Sequence, residues 1–195
     1  EEVARFQANI MMQLEATKEE VQEKIEEIIM ENTTLHRKCL ICQSKSLTTL
    51  EDYKTAYLCK CSNCSFVFSK KIPTEKELVS HYNQYSRNDF LSPITIKRYH
   101  ELLDNFDSFR KSNKILDVGC GIGYFLEEAK KRGWEVFGTE FTNEAVNICS
   151  SKGINVKQGI LDPSNYNFEF DIITSFEVIE HINNPADELN KFYGL

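Results

Sequence analysis

Short apolar runs and helix-length polar segments alternate along the chain after residue 113. The apolar runs are ILDV, WEVFGTE, INVKQGI and FDIITSF, with segments such as YFLEEAKKRG and TNEAVNICSSKG between them. This alternation predicts parallel strands joined by helical crossovers. Gly133 and Gly153 stand where two of the helices should end, since glycine is common just past a helix C-terminus. The pattern predicts an α/β fold with a doubly wound parallel sheet of about four strands.

The first 37 residues have a helical period instead. Apolar residues recur three or four positions apart from Val3 to Leu35, with two double steps, and no glycine or proline interrupts them. We expect one long amphipathic helix over residues 1–37 with an acidic outer face. Two interpretations stay open, a coiled-coil arm that forms a homodimer and simple packing against a domain, because Thr17 and Asn32 interrupt the apolar seam.

Residues 73–112 predict two helices that form a linker or a substrate lid. The first begins after Pro73, where Thr74 and Glu77 have the spacing of a capping box. The second follows the Ser-Pro break at residues 92–93 and covers roughly residues 94–109. Tyr82 and Tyr85 on the first helix could close over a substrate, although core packing explains them more simply.

Five of the seven cysteines lie between residues 39 and 64, in a segment of short β-type runs that we assign to a ribbon of residues 38–72. Two Cys-x-x-Cys pairs are separated by eighteen residues, a spacing typical of a tetrahedral zinc site. The predicted ligands of one structural zinc ion are Cys39, Cys42, Cys61 and Cys64. Cys59 either competes for the metal or faces the ribbon interior, and we interpret Cys120 and Cys149 as small core residues.

Composition excludes some partners. The chain has 195 residues, of which 41% are hydrophobic, and a formal net charge of -7. Lysine and arginine are spread along it, so nucleic acid is not an expected partner. No apolar run approaches the roughly 18 residues that a membrane span needs. The first residues lack the pattern of a signal peptide, so we expect a cytoplasmic protein with no membrane partner.

The stretch KILDVGCGIGYF places glycine at every second position after a strand, at Gly119, Gly121 and Gly123. Such a turn lets a ligand reach the backbone amides at the start of the next helix. The dinucleotide fingerprint would have its third glycine one residue later. Glu140 ends the next predicted strand about twenty residues on, where a carboxylate can accept both hydroxyls of a ribose.

DVGCGIGYF, GTEFT and FDIITSFEVIEHINNP together resemble the class I S-adenosylmethionine-dependent methyltransferases. The resemblance covers residues 114–195 and implies a Rossmann-like domain over residues 113–195 with S-adenosylmethionine as its cofactor. The cofactor-binding residues that it implies are Asp117, Gly119, Gly121, Gly123, Glu140, Phe141, Ser175 and Phe176. Ile160 departs from the family, in which an aspartate at this position meets the adenine, so Asp162 or a backbone contact would have to replace it.

The segment EVIEH after the fourth strand supplies candidate acid-base groups in Glu177, Glu180 and His181. An unperturbed imidazole titrates near pH 6.5, so His181 suits the role of general base, with Glu180 orienting it. The alternative is that Glu180 and His181 only brace the next helix. Because about four strands precede the end of the chain, we expect the C-terminal part of the catalytic domain to be missing and the chain itself to be an inactive fragment.

The N-terminal half resembles the zinc-ribbon lead-in of bacterial methyltransferases from sugar and surface-polysaccharide pathways. This resemblance implies that the substrate is a nucleotide-linked sugar or a polysaccharide intermediate. A phenol of the quinone type is an alternative small-molecule substrate, because EVIEH is also similar to those enzymes. A second alternative is a zinc-ribbon interaction module without catalysis.

Overall fold

The computed structural model describes residues 33–74 and 91–195, together with residues 7, 11–18, 20, 21, 24, 76–78 and 80. Its contacts divide the chain into two units, Glu1–Thr74 and Glu75–Leu195. Within the described residues, no helix has the length and apolar character needed to cross a membrane.

The first unit contains a small antiparallel sheet of three strands in sequential order. The strands are β1 (Leu47–Thr49), β2 (Leu58–Cys61) and β3 (Val67–Ser69), with a 3-10 turn at Glu51–Ala56 between the first two. Among the described residues of this unit, the buried core consists of Cys39, Cys59, Cys61 and Phe68. Leu40, Cys42 and Leu47 are partly buried against it.

The predicted N-terminal helix is wrong at its C-terminal end. Leu35 forms an antiparallel bridge with Lys71, and the flanking backbone of residues 34–36 bonds to residues 70–72. Because these amides and carbonyls pair across the ribbon, they are not available to a helix. Residues 11–18 are helical, whereas much of the remainder lies outside the described residues, so the homodimer arm stays a prediction.

The second unit contains a parallel sheet with strand order β6-β5-β4-β7. Its strands are β4 (Lys114–Val118), β5 (Glu135–Glu140), β6 (Asn155–Gln158) and β7 (Ile172–Thr174). Its helices are α1 (Pro93–Phe106), α2 (Tyr124–Lys131), α3 (Asn143–Ser151) and α4 (Pro185–Tyr193). The third, second, first and fourth strands lie side by side, the order of a Rossmann-like half, which confirms the predicted fold class.

The sheet is buried on both faces because β4 sends alternate residues to opposite sides. Ile115 packs with Leu103 of α1 and with residues of α2 and α3. Leu116 packs on the other face with Phe137 and a group of aromatic residues. Continuous apolar strands such as ILDV are typical of parallel sheets covered on both sides. Helix α1 thus shares a core with the sheet.

Both helices predicted in residues 73–112 are found where the structure describes those residues. Ser92 caps α1, since its hydroxyl accepts the amide of Ile94 at 3.3 Å. Residues 76–78 and 80 are helical, as expected after Thr74. Tyr82 and Tyr85 lie outside the described residues, so their predicted roles stay predictions.

Candidate functional site

The glycine loop leaves the carboxyl end of β4 and enters α2. Gly119, Gly121 and Gly123 have φ angles of 75°, 54° and 80°, which side chains other than glycine rarely adopt. The amides of Gly119 and Cys120 both donate to the carbonyl of Thr139 on β5, each at 2.9 Å. The loop is therefore fastened across the ends of two neighbouring strands.

The three glycines differ in what surrounds them. A Cβ atom on Gly119 would lie 2.4 Å from Val178, and one on Gly123 would lie 2.7 Å from Ile154. A Cβ atom on Gly121 would meet nothing within 4 Å. Gly119 and Gly123 thus allow close packing of the protein itself, whereas Gly121 is open on the side where a Cβ atom would lie.

Glu140 ends β5 directly beside this loop. One carboxylate oxygen accepts the amide of Gly121 at 3.1 Å, and the other accepts the amide of Thr142 at 2.9 Å and its hydroxyl at 3.1 Å. These bonds fix the orientation of the carboxylate at the carboxyl edge of the sheet. The structure therefore brings Glu140 and Gly121 together, and the contact of Glu140 with a ribose stays a prediction.

Asp117 lies beneath the loop and is only 3% exposed. Its carboxylate accepts the hydroxyl of Thr174 on β7 at 2.7 Å. Burial raises the pKa of Asp117 to about 7, although the hydrogen bond from Thr174 lowers it in part. The predicted contact of Asp117 with the methionine part of a cofactor stays a prediction.

Ser175 and Phe176 follow β7 at the same edge. The Ser175 hydroxyl is buried and has no hydrogen-bond partner among the described residues, so it is free to meet a ligand. Phe176 is 37% exposed and packs edge-on against Phe125, with 5.1 Å between ring centroids. Both residues lie just after β7, and their role in lining a cofactor pocket stays a prediction.

Tyr99 on α1 completes this aromatic group, and sequence reasoning missed it. Its ring lies 5.3 Å from that of Phe125 and 6.3 Å from that of Phe176, centroid to centroid. Tyr99 precedes Leu103 and Phe106 at helical spacing, so the apolar face of α1 was readable as a signal. The sequence did not indicate that Tyr99 lies beside the glycine loop.

From the sequence, Phe141 and Asp162 are candidates for contact with the adenine, and Ile160 is a departure from the family. Phe141 is 42% exposed next to Glu140, and its contact with an adenine stays a prediction. Ile160 is 72% exposed. The carboxylate of Asp162 caps a short turn, accepting the amide and the hydroxyl of Ser164. Asp162 is thus occupied locally, and its role toward adenine stays a prediction.

The EVIEH segment turns sharply after β7. Glu177 has a φ of 54°, a left-handed conformation that is uncommon outside glycine and often marks a functional turn. Val178 then packs on Gly119, and a 3-10 turn at Ile179–His181 follows. Glu180 and His181 are both exposed on this turn. Nothing in the local sequence indicated the left-handed residue.

Lys152 supports the glycine loop from outside and was also missed. Its ammonium group donates to the carbonyl of Ile122 at 2.8 Å and pairs with Glu127 at 2.7 Å. It also lies over the ring of Tyr124, 4.8 Å from the centroid. Lys152 follows α3, so it ties the end of that helix to the loop and to α2.

The four predicted zinc ligands converge in the first unit. The sulfur atoms of Cys39, Cys42, Cys61 and Cys64 all lie within 4.8 Å of one another. Two pairs, Cys39 with Cys64 and Cys42 with Cys61, are 3.5 Å apart. Sulfurs on a tetrahedral zinc with Zn–S bonds of about 2.3 Å would be about 3.8 Å apart, so the residues fit such an ion.

The turn around each Cys-x-x-Cys pair, here called a knuckle, repeats the same backbone pattern. The amide of Cys39 donates to the carbonyl of Ser44, and that of Cys61 donates to the carbonyl of Phe66. The residues after the pairs, Gln43 and Ser65, are both left-handed, with φ of 59° and 63°. Two matching knuckles that face each other form a preshaped four-sulfur site.

The remaining cysteines are core residues. Cys59 is fully buried beside Phe68 in the ribbon and is not part of the four-sulfur cluster. Cys120 and Cys149 are buried in the sheet unit, as expected.

Among the four cysteines of the cluster, Cys42 has a lowered pKa. Hydrogen bonds from the Asn63 side chain and the Ser44 backbone lower it to about 6, which favours the thiolate.

Known proteins share parts of this sequence. One curated relative, a ubiquinone biosynthesis O-methyltransferase of Azoarcus sp. strain BH72, is 31% identical over 85 residues, which cover 40% of this chain and 36% of the relative. The mitochondrial ubiquinone biosynthesis O-methyltransferase of Rattus norvegicus is 29% identical over 159 residues, or 71% of this chain and 46% of the relative. The chain thus spans less than half of the length of these relatives.

Solved structures with similar backbones include two methyltransferases. An amino pentose methyltransferase from Micromonospora echinaspora with bound S-adenosylmethionine has a TM-score of 0.43 and 17% identity, covering 62% of this chain and 51% of that chain. Magnesium protoporphyrin IX methyltransferase from Synechocystis PCC 6803 has a TM-score of 0.44 and 11% identity, covering 60% of this chain and 65% of that chain.

The family of the second unit follows from its sequence. Residues 87–195 match the sequence family described as a methyltransferase domain. The match covers more than half of the chain and includes the glycine loop, Glu140 and the EVIEH turn. The chain therefore belongs to the methyltransferase-domain family.

Proposed function

We propose that this chain is the cofactor-binding part of a class I S-adenosylmethionine-dependent methyltransferase that methylates a small-molecule hydroxyl group. The observation that carries the proposal is the carboxylate of Glu140 held 3.1 Å from the amide of Gly121, at the open side of the glycine loop. S-adenosylmethionine, when bound, supplies an electrophilic methyl group. Membership of the methyltransferase-domain family supports the same assignment.

The described residues fit such a cofactor. Glu140 would accept the ribose hydroxyls, and the space at Gly121 admits a ligand to the loop amides. Phe141 offers an exposed ring to the adenine, and the unpartnered Ser175 hydroxyl supplies a further hydrogen bond. A non-catalytic interaction module has less support, because it would need neither this loop nor this carboxylate.

Calorimetry with S-adenosylmethionine tests the placement of the cofactor. Glu140→Ala removes two charge-assisted hydrogen bonds to ribose, each worth roughly 1.5–3 kcal/mol, so affinity should fall at least tenfold. Glu135→Ala at the opposite end of β5 is the matched control, because Glu135 pairs with Lys114 away from the loop. Equal affinity in the unaltered chain and Glu140→Ala would exclude this site.

We assign the role of proton acceptor to His181, with Glu180 orienting its ring. The exposed imidazole lies on a turn that directly follows Val178, which packs on Gly119, so we expect it to reach an acceptor hydroxyl beside the cofactor. In the complete enzyme, His181→Ala should lower kcat by a factor of about 100 to 10,000 with little change in cofactor affinity.

His100→Ala is the control for this measurement, because His100 pairs with Glu128 between α1 and α2. Glu180→Gln should show a smaller loss than His181→Ala. A His181→Ala enzyme with near-normal turnover would leave the histidine a structural role only.

For the acceptor we favour a phenol of the quinone type. The curated relatives are named for ubiquinone biosynthesis and O-methylation, which supports the phenol over the nucleotide-linked sugar that the ribbon suggested. Methyl transfer from labelled S-adenosylmethionine to an ortho-diphenol, compared with transfer to a nucleotide-linked sugar, tests the choice in the complete enzyme. Transfer to the sugar alone would overturn it.

We also propose one structural zinc ion held by Cys39, Cys42, Cys61 and Cys64. The matching knuckles support a metal that is closed to water and takes no part in methyl transfer. Metal analysis of the purified chain should find about one zinc per chain. A folded ribbon free of metal would exclude the ion.

A further inference from the structure

We propose that Tyr99 is a cofactor-specificity residue, whose ring favours the positively charged sulfonium of S-adenosylmethionine over the neutral sulfur of S-adenosylhomocysteine. The inference rests on the proposed function, because it requires the cofactor to bind at the loop of residues 119–123.

The strand order gives the location of the crevice. β5 and β6 lie on one side of β4, and β7 lies on the other, so the direction of winding reverses between β4 and β7. Ligands of wound α/β folds bind outside the carboxyl ends of the strands at such a point. The residues there are Asp117 on β4, Thr174 on β7 and Phe176 just after β7.

Tyr99 reaches this point from α1. Its ring packs near Phe176, which follows β7, and on Phe125, which follows the glycine loop. Phe125 is buried behind the group, whereas Tyr99 is only half-buried and Phe176 is 37% exposed. Tyr99 and Phe176 therefore present aromatic surface at the crevice.

The surroundings of Tyr99 favour a cation. Aromatic rings attract positive charge through their quadrupole, and the effect grows when water is excluded. Burial and then Asp117 raise the pKa of Tyr99, so its hydroxyl stays protonated and the ring uncharged. A sulfonium is attracted to the face of such a ring, whereas a thioether carries no charge to be attracted.

The experiment compares two affinities in each protein. Dissociation constants for S-adenosylmethionine and S-adenosylhomocysteine are measured by calorimetry on the unaltered chain, Tyr99→Leu and Tyr99→Phe. Tyr99→Leu should reduce the preference for the sulfonium cofactor, the ratio of the two constants, by about three- to tenfold. Tyr99→Phe should keep the ratio, because the ring remains.

Two further variants guard against loss of folding. Tyr99→Met replaces the ring with a flexible apolar side chain that adapts to gaps and favours a helix, and it should change the ratio as Tyr99→Leu does. Tyr193→Leu removes a tyrosine that is 95% exposed on α4, and it should leave the ratio unchanged.

The outcomes separate the inference from the proposed function. Equal weakening of both ligands in Tyr99→Leu and Tyr99→Met would make Tyr99 a packing residue and overturn the inference alone, as would an unchanged ratio. Failure of the unaltered chain to bind either ligand would overturn the proposed function and the inference with it.

Discussion

At the scale of single residues, the glycines of the loop have different roles: Gly123 allows close packing, whereas Gly121 leaves one side of the loop open. Gly123→Ala would place a methyl group 2.7 Å from Ile154 and 2.9 Å from Cys149, at a φ of 80°. Clash and backbone strain together should cost about 2–4 kcal/mol of unfolding free energy. Gly121→Ala meets no neighbour and should cost only about 1–2 kcal/mol, the strain of its left-handed conformation.

Urea denaturation measures the two costs, and calorimetry with S-adenosylmethionine measures binding. Gly121→Ala should lose affinity out of proportion to its small loss of stability, because its methyl group fills the open side of the loop. If Gly121→Ala bound the cofactor as tightly as the unaltered chain, the ligand would have to lie elsewhere.

The sequence revealed the residues of the site that follow a local rule. The spacing of Gly119 to Gly123 and the position of Glu140 after a strand are short-range patterns, and the structure brings these residues together. The positions of Tyr99 and Lys152 depend on contacts between elements far apart in sequence. No local periodicity encodes such contacts, so they were visible only once the fold was known.

At the scale of elements, Asp171 fastens the start of β7 to the segment before β4. Its carboxylate accepts the amides of Lys111, Ser112 and Asn113 at 2.8, 2.9 and 2.7 Å. Partial burial raises the pKa of Asp171, but these bonds and the Ser112 hydroxyl lower it more, to about 2. Adjacent strands of the sheet are thus held at their amino ends by one side chain.

This clamp predicts a pH-dependent contribution to stability. The folded pKa lies below the unfolded value of 3.8, so the stabilisation is present above that pH and is lost as pH falls through about 2. Asp171→Asn should cost about 1.5–3 kcal/mol at pH 7. The difference between the two proteins should shrink between pH 4 and pH 2 in urea denaturation.

Asp162→Asn is a suitable comparison, since Asp162 caps only a short turn through Ser164. Its cost should be smaller than that of Asp171→Asn at pH 7. A difference between Asp171→Asn and the unaltered chain that stays constant down to pH 2 would show that charge plays no part in the clamp.

Element boundaries illustrate the same limit of sequence reasoning. Strands β4 to β7 were predicted because apolar runs between glycine stops are a strong local signal. The N-terminal helix was predicted to extend too far toward its C-terminal end, because the spacing of apolar residues up to Leu35 also suits a helix. The pairing of Leu35 with Lys71, thirty-six residues later, overrode that local preference.

At the scale of the whole molecule, the two units have cores of very different size. The ribbon buries only Cys39, Cys59, Cys61 and Phe68, whereas the sheet unit buries apolar side chains on both faces of its sheet. Cores as small as that of the ribbon usually need a metal or disulfides to fold. We therefore expect removal of the proposed zinc ion to unfold the ribbon and to spare the sheet unit.

Chelation of the metal, followed by amide NMR spectra and calorimetry, tests this expectation. Resonances of residues 33–74 should lose their dispersion, while affinity for S-adenosylmethionine should change less than about twofold, because the loop and Glu140 draw their contacts from the second unit. Cys61→Ser should reproduce the effect by removing a ligand, and Cys59→Ser should retain the metal, since Cys59 is not part of the four-sulfur cluster. Loss of cofactor binding together with the metal would mean that the ribbon supports the site in the sheet unit and that the units do not fold independently.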